Sequence, residues 1–200
     1  MNAKEDGLMG GYTVIADLGS SLLRLLREHL TPDPVPRPDL IGIASPKEAG
    51  DFALSLFLFN VKENGESRRT GMVDRGGVLQ YPPQALDFFF LMTAHSNADR
   101  LTRSLDEHRI LGRAMQTLYD NSVLRSPYLE GTLAEGGDPV RISLVSMEAE
   151  ELLKLWQFGD LPYKLSVVYR VGPVMLDSNR VKPVTRVVER QIVLEEKGGG

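Results

Sequence analysis

Residues 85–94 read ALDFFFLMTA, and this stretch decides the fold. Alternation puts Leu86, Phe88, Phe90 and Met92 on one face, while Phe89 and Leu91 load the other. Such a segment is a strand that needs cover on both sides. Pro82 and Pro83 stand just before it, where a missing backbone donor is tolerated. Residues 52–59, FALSLFLF, have the same character. Phe52, Leu54, Leu56 and Leu58 point one way, and Ala53, Ser55, Phe57 and Phe59 the other. Two such strands predict the centre of a sheet that is buried on both faces.

Working outward, the spacing predicts a helix from Thr13, as its cap, to about Leu30. Its apolar stripe is Ile15, Leu18, Leu22, Leu25 or Leu26, and Leu30. TPDPVPRP at 31–38 ends that helix, because four prolines in eight residues cannot continue it. A short strand is expected over 39–44. Residues 60–77 are polar and rich in Arg, Glu and Gly, and read as a long loop or hairpin tip. Beyond the 85–94 strand, Asp99 is the expected cap of a helix to about Tyr119. Leu101, Leu105, His108, Leu111, Met115 and Leu118 form its stripe, and Arg103 can pair with Glu107 on its wet side. Residues 127–138 read as a loop and 140–145 as a strand. Ser146 is the expected cap of a short helix carrying Leu152, Leu155 and Trp156, which Gly159 and Pro162 end. Residues 163–171 alternate as a half-exposed strand, interrupted by Pro173 and the Asp177 turn. Residues 184–194 are β-like again. The predicted class is α/β in the α+β sense: a mixed central sheet, an N-terminal helix, a long middle helix, a short third helix and a β-prone C-terminal arm. Its expected organisation is a flexible start over 1–12, a domain over 13–178, and an arm and tail over 179–200.

The chain of 200 residues carries 23 Lys and Arg against 27 Asp and Glu, a formal charge of −4. That balance argues against nucleic acid as a partner. No apolar run approaches a membrane span, so no direct membrane insertion is expected. The N-terminus shows no signal-peptide pattern, so synthesis in the cytoplasm is expected. The chain has no cysteine, which removes disulfides and thiolate chemistry. His29, His95 and His108 stand far apart and form no ligand pair. Neither Arg75-Gly-Gly nor Glu135-Gly-Gly-Asp matches a nucleotide-binding pattern. No cofactor is expected and the chain reads as a non-enzyme. His95 follows a central strand and is the least implausible catalytic base of an alternative, a small α/β hydrolase; Ser96 beside it lacks a nucleophile elbow. His108 reads as a buried or interface histidine. Arg68, Arg69 and Arg75 read as a solvated loop ahead of a phosphate-binding patch. Trp156, with Leu152, Leu155 and Phe158, fits a binding hot spot or a core contact equally.

Several segments together resemble one family: LSLFLFNVKENGESRR (54–69), PPQALDFFFLMTAHS (82–96), DEHRILGRAMQTLYDNSVL (106–124), ISLVSMEAEELLKLW (142–156) and LPYKLSVVYRVGPVMLDS (161–178). The leading helix ADLGSSLLRLLREHL (16–30) belongs to the same resemblance. The family is the N-terminal-domain family of tube-terminating cap proteins, from contractile, phage-tail-like injection systems. The resemblance implies a structural protein, a homo-oligomer forming a six-fold ring at the baseplate-distal end. Its partners would be the inner tube protein and the sheath protein. The particle would be cytoplasmic or released. An adaptor or a baseplate-side ring of the same particle is the alternative reading. The candidate interface residues are Arg68, Arg69, Arg75, Glu107, His108, Arg109, Arg113, Trp156, Arg186, Val188 and Arg190, and the β character of 184–194 makes it the candidate strand offered to the sheath.

Overall fold

The computed structural model describes residues 11–75, 77–156 and 162–183. Its centre is a six-stranded sheet in the order β1 (Ile41–Ile43), β2 (Leu54–Glu63), β5 (Gln84–Ala94), β8 (Ser166–Leu176), β7 (Val140–Val145), β6 (Val123–Leu124). Only the β1–β2 pair is parallel; the other pairs are antiparallel. A second sheet of three short strands joins β3 (Val73–Arg75), β4 (Val78–Gln80) and β9 (Val181–Pro183). The predicted α+β class with a mixed central sheet is the architecture found.

Strand β5 lies between β2 and β8, the most sheltered place in the sheet. Leu86, Phe88, Phe90 and Met92 join the main core on one face, beneath α1 (Val14–Leu30) and α2 (Arg103–Asp120). Leu91 turns to the opposite face, where it meets Val168 and Trp156, with Leu152 and Leu155 of α4 (Ala149–Leu155) against them. Both faces are therefore apolar because each is covered, and α2 and α4 lie on opposite sides of one sheet.

Several boundaries differ from expectation. In α1 it is Val14 that is buried, while Ile15 is 39% exposed. The Thr13 hydroxyl donates to the Asp17 carboxylate (3.0 Å) and caps no backbone N–H. Strand β2 runs on to Glu63 and β3 occupies part of the expected 60–77 loop, with β4 following directly after it. Residues 131–136 form a short helix, α3 (Gly131–Gly136), inside another expected loop. Helix α4 begins after Glu148 and leaves Ser146 outside it. Strand β8 starts at Ser166 and continues through Pro173, where Gly172 and Pro173 stand opposite the single residue Asp87 of β5, a bulge that lets the proline sit in the ladder. On its second face Ser166 and Val168 are buried, so the strand is less exposed than its lysine and arginine suggested. Residues 181–183, assigned by sequence to the arm, pair with β4. The proposed strand at 184–194 lies outside the described residues.

One sheet edge is closed by a side chain. Arg27, on α1, donates from Nε (3.1 Å) and Nη2 (2.7 Å) to the carbonyl of Ile41 on edge strand β1. The other edge is more open. Strand β6 pairs with β7 only at Val140 and Arg141, and Ile142 N–H reaches the Ser122 carbonyl. Beyond that point, among the described residues, no strand pairs with the outer side of Ser143, Leu144 and Val145.

Candidate assembly surface

His95 directly follows β5 and sits in a polar cluster with Ser55 and Lys164. Its Nε2 is 2.8 Å from Ser55 Oγ, and its Nδ1 is 3.2 Å from Lys164 Nζ. Lys164 is also 3.4 Å from Glu107. Ser96 donates its N–H to Glu107 (3.2 Å) and its hydroxyl to Asp106 (2.6 Å). An ammonium only donates, so Nδ1 is the acceptor and the ring proton sits on Nε2, facing Ser55. The pKa of His95 falls from 6.5 to about 4, first through burial and then through Lys164, with Glu107 opposing. The ring is neutral and gives its proton toward the hydroxyl, the reverse of what a nucleophile needs from its base. Ser55 is only 1% exposed. The cluster is thus a strut joining β2, α2 and the strand entering β8, and the hydrolase alternative loses its base. Among the described residues no three metal-ligating side chains gather. Glu107 serves this cluster through Lys164, in place of the expected pair with Arg103.

Helix α2 carries the surface feature of the molecule. Ile110, Leu111, Ala114, Thr117 and Leu118 form the buried face. On the outer side, Leu105, His108, Gly112, Met115 and Tyr119 follow one another at alternating steps of three and four residues, and Leu101, in the turn just before the helix, stands four residues ahead of them. That spacing draws a straight apolar stripe along a helix. Leu101 is 90% exposed, Leu105 58% and Tyr119 82%. His108 and Gly112 are exposed and Met115 is half-buried. The expected stripe therefore mixes two faces: Leu111 and Leu118 are core, whereas Leu101, Leu105 and His108 face outward. Met115, Tyr119 and Leu144 continue the exposed stripe into a shallow apolar groove between α2 and β7. Gly112 has nothing within 4 Å of where a Cβ would stand, so no packing inside the chain requires a glycine there.

The other expected interface residues fall in different places. Arg109 is exposed beside the α2 stripe. Arg113 donates to the His29 carbonyl (3.3 Å) and to Gln116 (3.0 Å), tying α2 to the end of α1. Arg68 is exposed and 4.0 Å from Glu63, and Arg69 flanks it across a shallow hollow with Pro82 and Pro83. Arg75 contributes its backbone to β3. Trp156 is 6% exposed, edge-on to Tyr163, and belongs to the core of the second face. Arg186, Val188 and Arg190 lie outside the described residues. Sequence reasoning missed Gly112, Tyr119 and Leu144. The signal was present, since the step pattern through Gly112 and Tyr119 is visible in the sequence.

The chain is thus a two-faced α+β sheet with a part-buried histidine cluster just past β5 and an exposed stripe on α2. The model of the Pvc16 N-terminal domain family matches residues 17–190, and the chain belongs to that family. In fold it is similar to the PVC sheath/tube terminator in its extended state, seen by cryo-EM in an extracellular contractile injection system. Identity is 19%, the TM-score is 0.60, and the match covers 92% of this chain and 64% of that one. It is also similar to the anti-feeding prophage cap, the AFP tube terminating cap, at 18% identity and a TM-score of 0.59, covering 90% and 61%. The chain thus spans less than two thirds of the length of either. No curated protein is significantly similar to it.

Proposed function

We propose that this chain is a structural cap of a contractile injection particle, assembling as a six-membered ring at the baseplate-distal end and ending the growth of tube and sheath. The observation that carries this reading is family membership over 17–190, joined to a fold shared with a sheath/tube terminator and a tube terminating cap. Its partners are further copies of itself, the inner tube protein and the sheath protein. No helix among the described residues is long and apolar enough to cross a membrane. Residues 184–194 supply a strand to the last layer of sheath; their β-prone, charge-spaced sequence supports this role.

Reconstructions of purified particles, with and without the chain, test the placement. The proposal expects ring density at the baseplate-distal end in the first and its loss in the second. Density at the baseplate would favour the adaptor or baseplate-side ring. Deletion of 184–194 is expected to leave a folded ring with defective sheath capping, and normal sheath length in that variant sinks the strand assignment.

A further inference from the structure

We propose that the exposed α2 stripe is the seat for a second copy of this chain, which docks on it through the acidic outer face of its α4. The inference rests on the ring reading above and names the surfaces that would build it.

The first observation is the stripe itself. Leu101 and Leu105 are 90% and 58% exposed, in a chain whose other leucines of α1 and α2 are mostly buried. The second is Gly112 at the middle of the helix. A mid-helix glycine weakens the helix relative to alanine, and here it buys no contact inside the chain, because a Cβ would stand in open space. A bare backbone between His108 and Met115 lets another element approach the helix closely.

Charge selects the occupant. Arg100, Arg103, Arg109 and Arg113 are exposed on or beside α2. Of its acids, Glu107 is turned to Lys164 and Asp106 to Ser96, leaving Asp99 and Asp120 toward the two ends. Helix α4 is the opposite: Glu148, Glu150 and Glu151 are exposed around Leu153, itself 47% exposed, against the single Lys154. Each patch is apolar at its centre and charged at its rim, with opposite sign.

Geometry completes the argument. Helices α2 and α4 cover opposite faces of the sheet, so one chain cannot bring them together. Two different patches that complement each other across a molecule make a head-to-tail contact, the kind that closes into a ring when the rotation allows.

The absence of native cysteine gives a direct test. Purified His108→Cys/Leu153→Cys protein is expected to form a ladder of disulfide-linked oligomers under mild oxidation, while each single variant remains uncross-linked. Light scattering then reads Gly112→Leu, which is expected to melt no lower than the wild type yet associate about tenfold more weakly or worse. Arg109→Glu is expected to weaken association similarly, and Glu150→Arg/Glu151→Arg to restore it in part. A wild-type chain that stays monomeric at every concentration overturns both the ring reading and this interface. A wild-type oligomer unaffected by Gly112→Leu and Arg109→Glu leaves the ring standing and overturns the interface. Cross-linking of His108→Cys alone shows a two-fold contact and overturns the head-to-tail arrangement. An intact ring that loses its hold on the particle when Arg109 is reversed assigns the stripe to tube or sheath protein and overturns docking between copies.

Discussion

At Asp17 three donors converge on one carboxylate oxygen: the Thr13 hydroxyl (3.0 Å), the Thr132 N–H (3.0 Å) and the Thr132 hydroxyl (2.7 Å). The bond set fastens α3 to the first turn of α1 and leaves no room at Gly131. That residue has φ +54°, and a Cβ there would lie 2.4 Å from the Asp17 carboxyl. Gly137 has a similar φ of +66° but open space around it. Gly131→Ala is therefore expected to cost about 2–4 kcal/mol, backbone strain and overlap together, against about 1–2 kcal/mol for Gly137→Ala. Urea unfolding of the two variants checks the difference. His95 sets a pH dependence. Its folded pKa, about 4, lies below the ordinary 6.5, so the unfolded chain takes up a proton first as pH falls. Stability from this group is whole above pH 6.5, declines between 6.5 and about 4, and falls no further below that. His95→Gln is expected to flatten that part of the wild-type stability curve; an unchanged slope in the difference between the two curves would remove His95 as its source. None of this was legible in the sequence. His95 looked like a catalytic remnant because its position after a strand is visible, whereas Lys164 arrives from a distant segment.

Elements were legible where periodicity was strong and local. The two central strands, 52–59 and 85–94, showed their double-sided burial because apolar residues fall on both faces, with only Ser55, Asp87 and Thr93 polar among them. Helix α2 was legible as a helix, but not in its orientation. Leu105, Leu111 and Leu118 satisfy one helical spacing rule, and only the sheet beneath decides which face is down. The consequence is measurable. Leu111→Ala, at a 4% exposed site, is expected to destabilise by about 2–5 kcal/mol, whereas Leu105→Ala should change stability by about 0.5 kcal/mol or less. Equal effects on chemical denaturation would contradict the assignment of the two faces. The strands β3, β4 and β9 escaped prediction because three residues carry no period, and the β4–β9 pairing joins Val78–Gln80 to the distant Val181–Pro183. The caps differ in a related way: Thr13 does occupy the N-cap of α1 but spends its hydroxyl on the Asp17 side chain, while Asp99 and Ser146, good capping types both, sit outside the N-cap positions of their helices. Asp99 instead receives the Leu101 N–H (2.8 Å), which closes the turn before α2.

At the scale of the whole molecule, the sheet carries a covered face on each side, one edge closed by Arg27, and one edge less closed at β7. On the outside of the described residues stand the α2 stripe, its groove against β7, and the acidic face of α4. That distribution suits a part of a larger assembly, and it agrees with membership of the Pvc16 N-terminal domain family. The resemblance of six separate segments to cap proteins made the family legible from sequence alone. The interface was not, because exposure at α2 depends on a fold that the segments only imply. The most direct test of the cap assignment is the length distribution of particles assembled without the chain, measured by electron microscopy. The account predicts tubes and sheaths of irregular and extended length, with uniform length restored by the wild-type chain; particles of normal, uniform length without it would contradict the assignment.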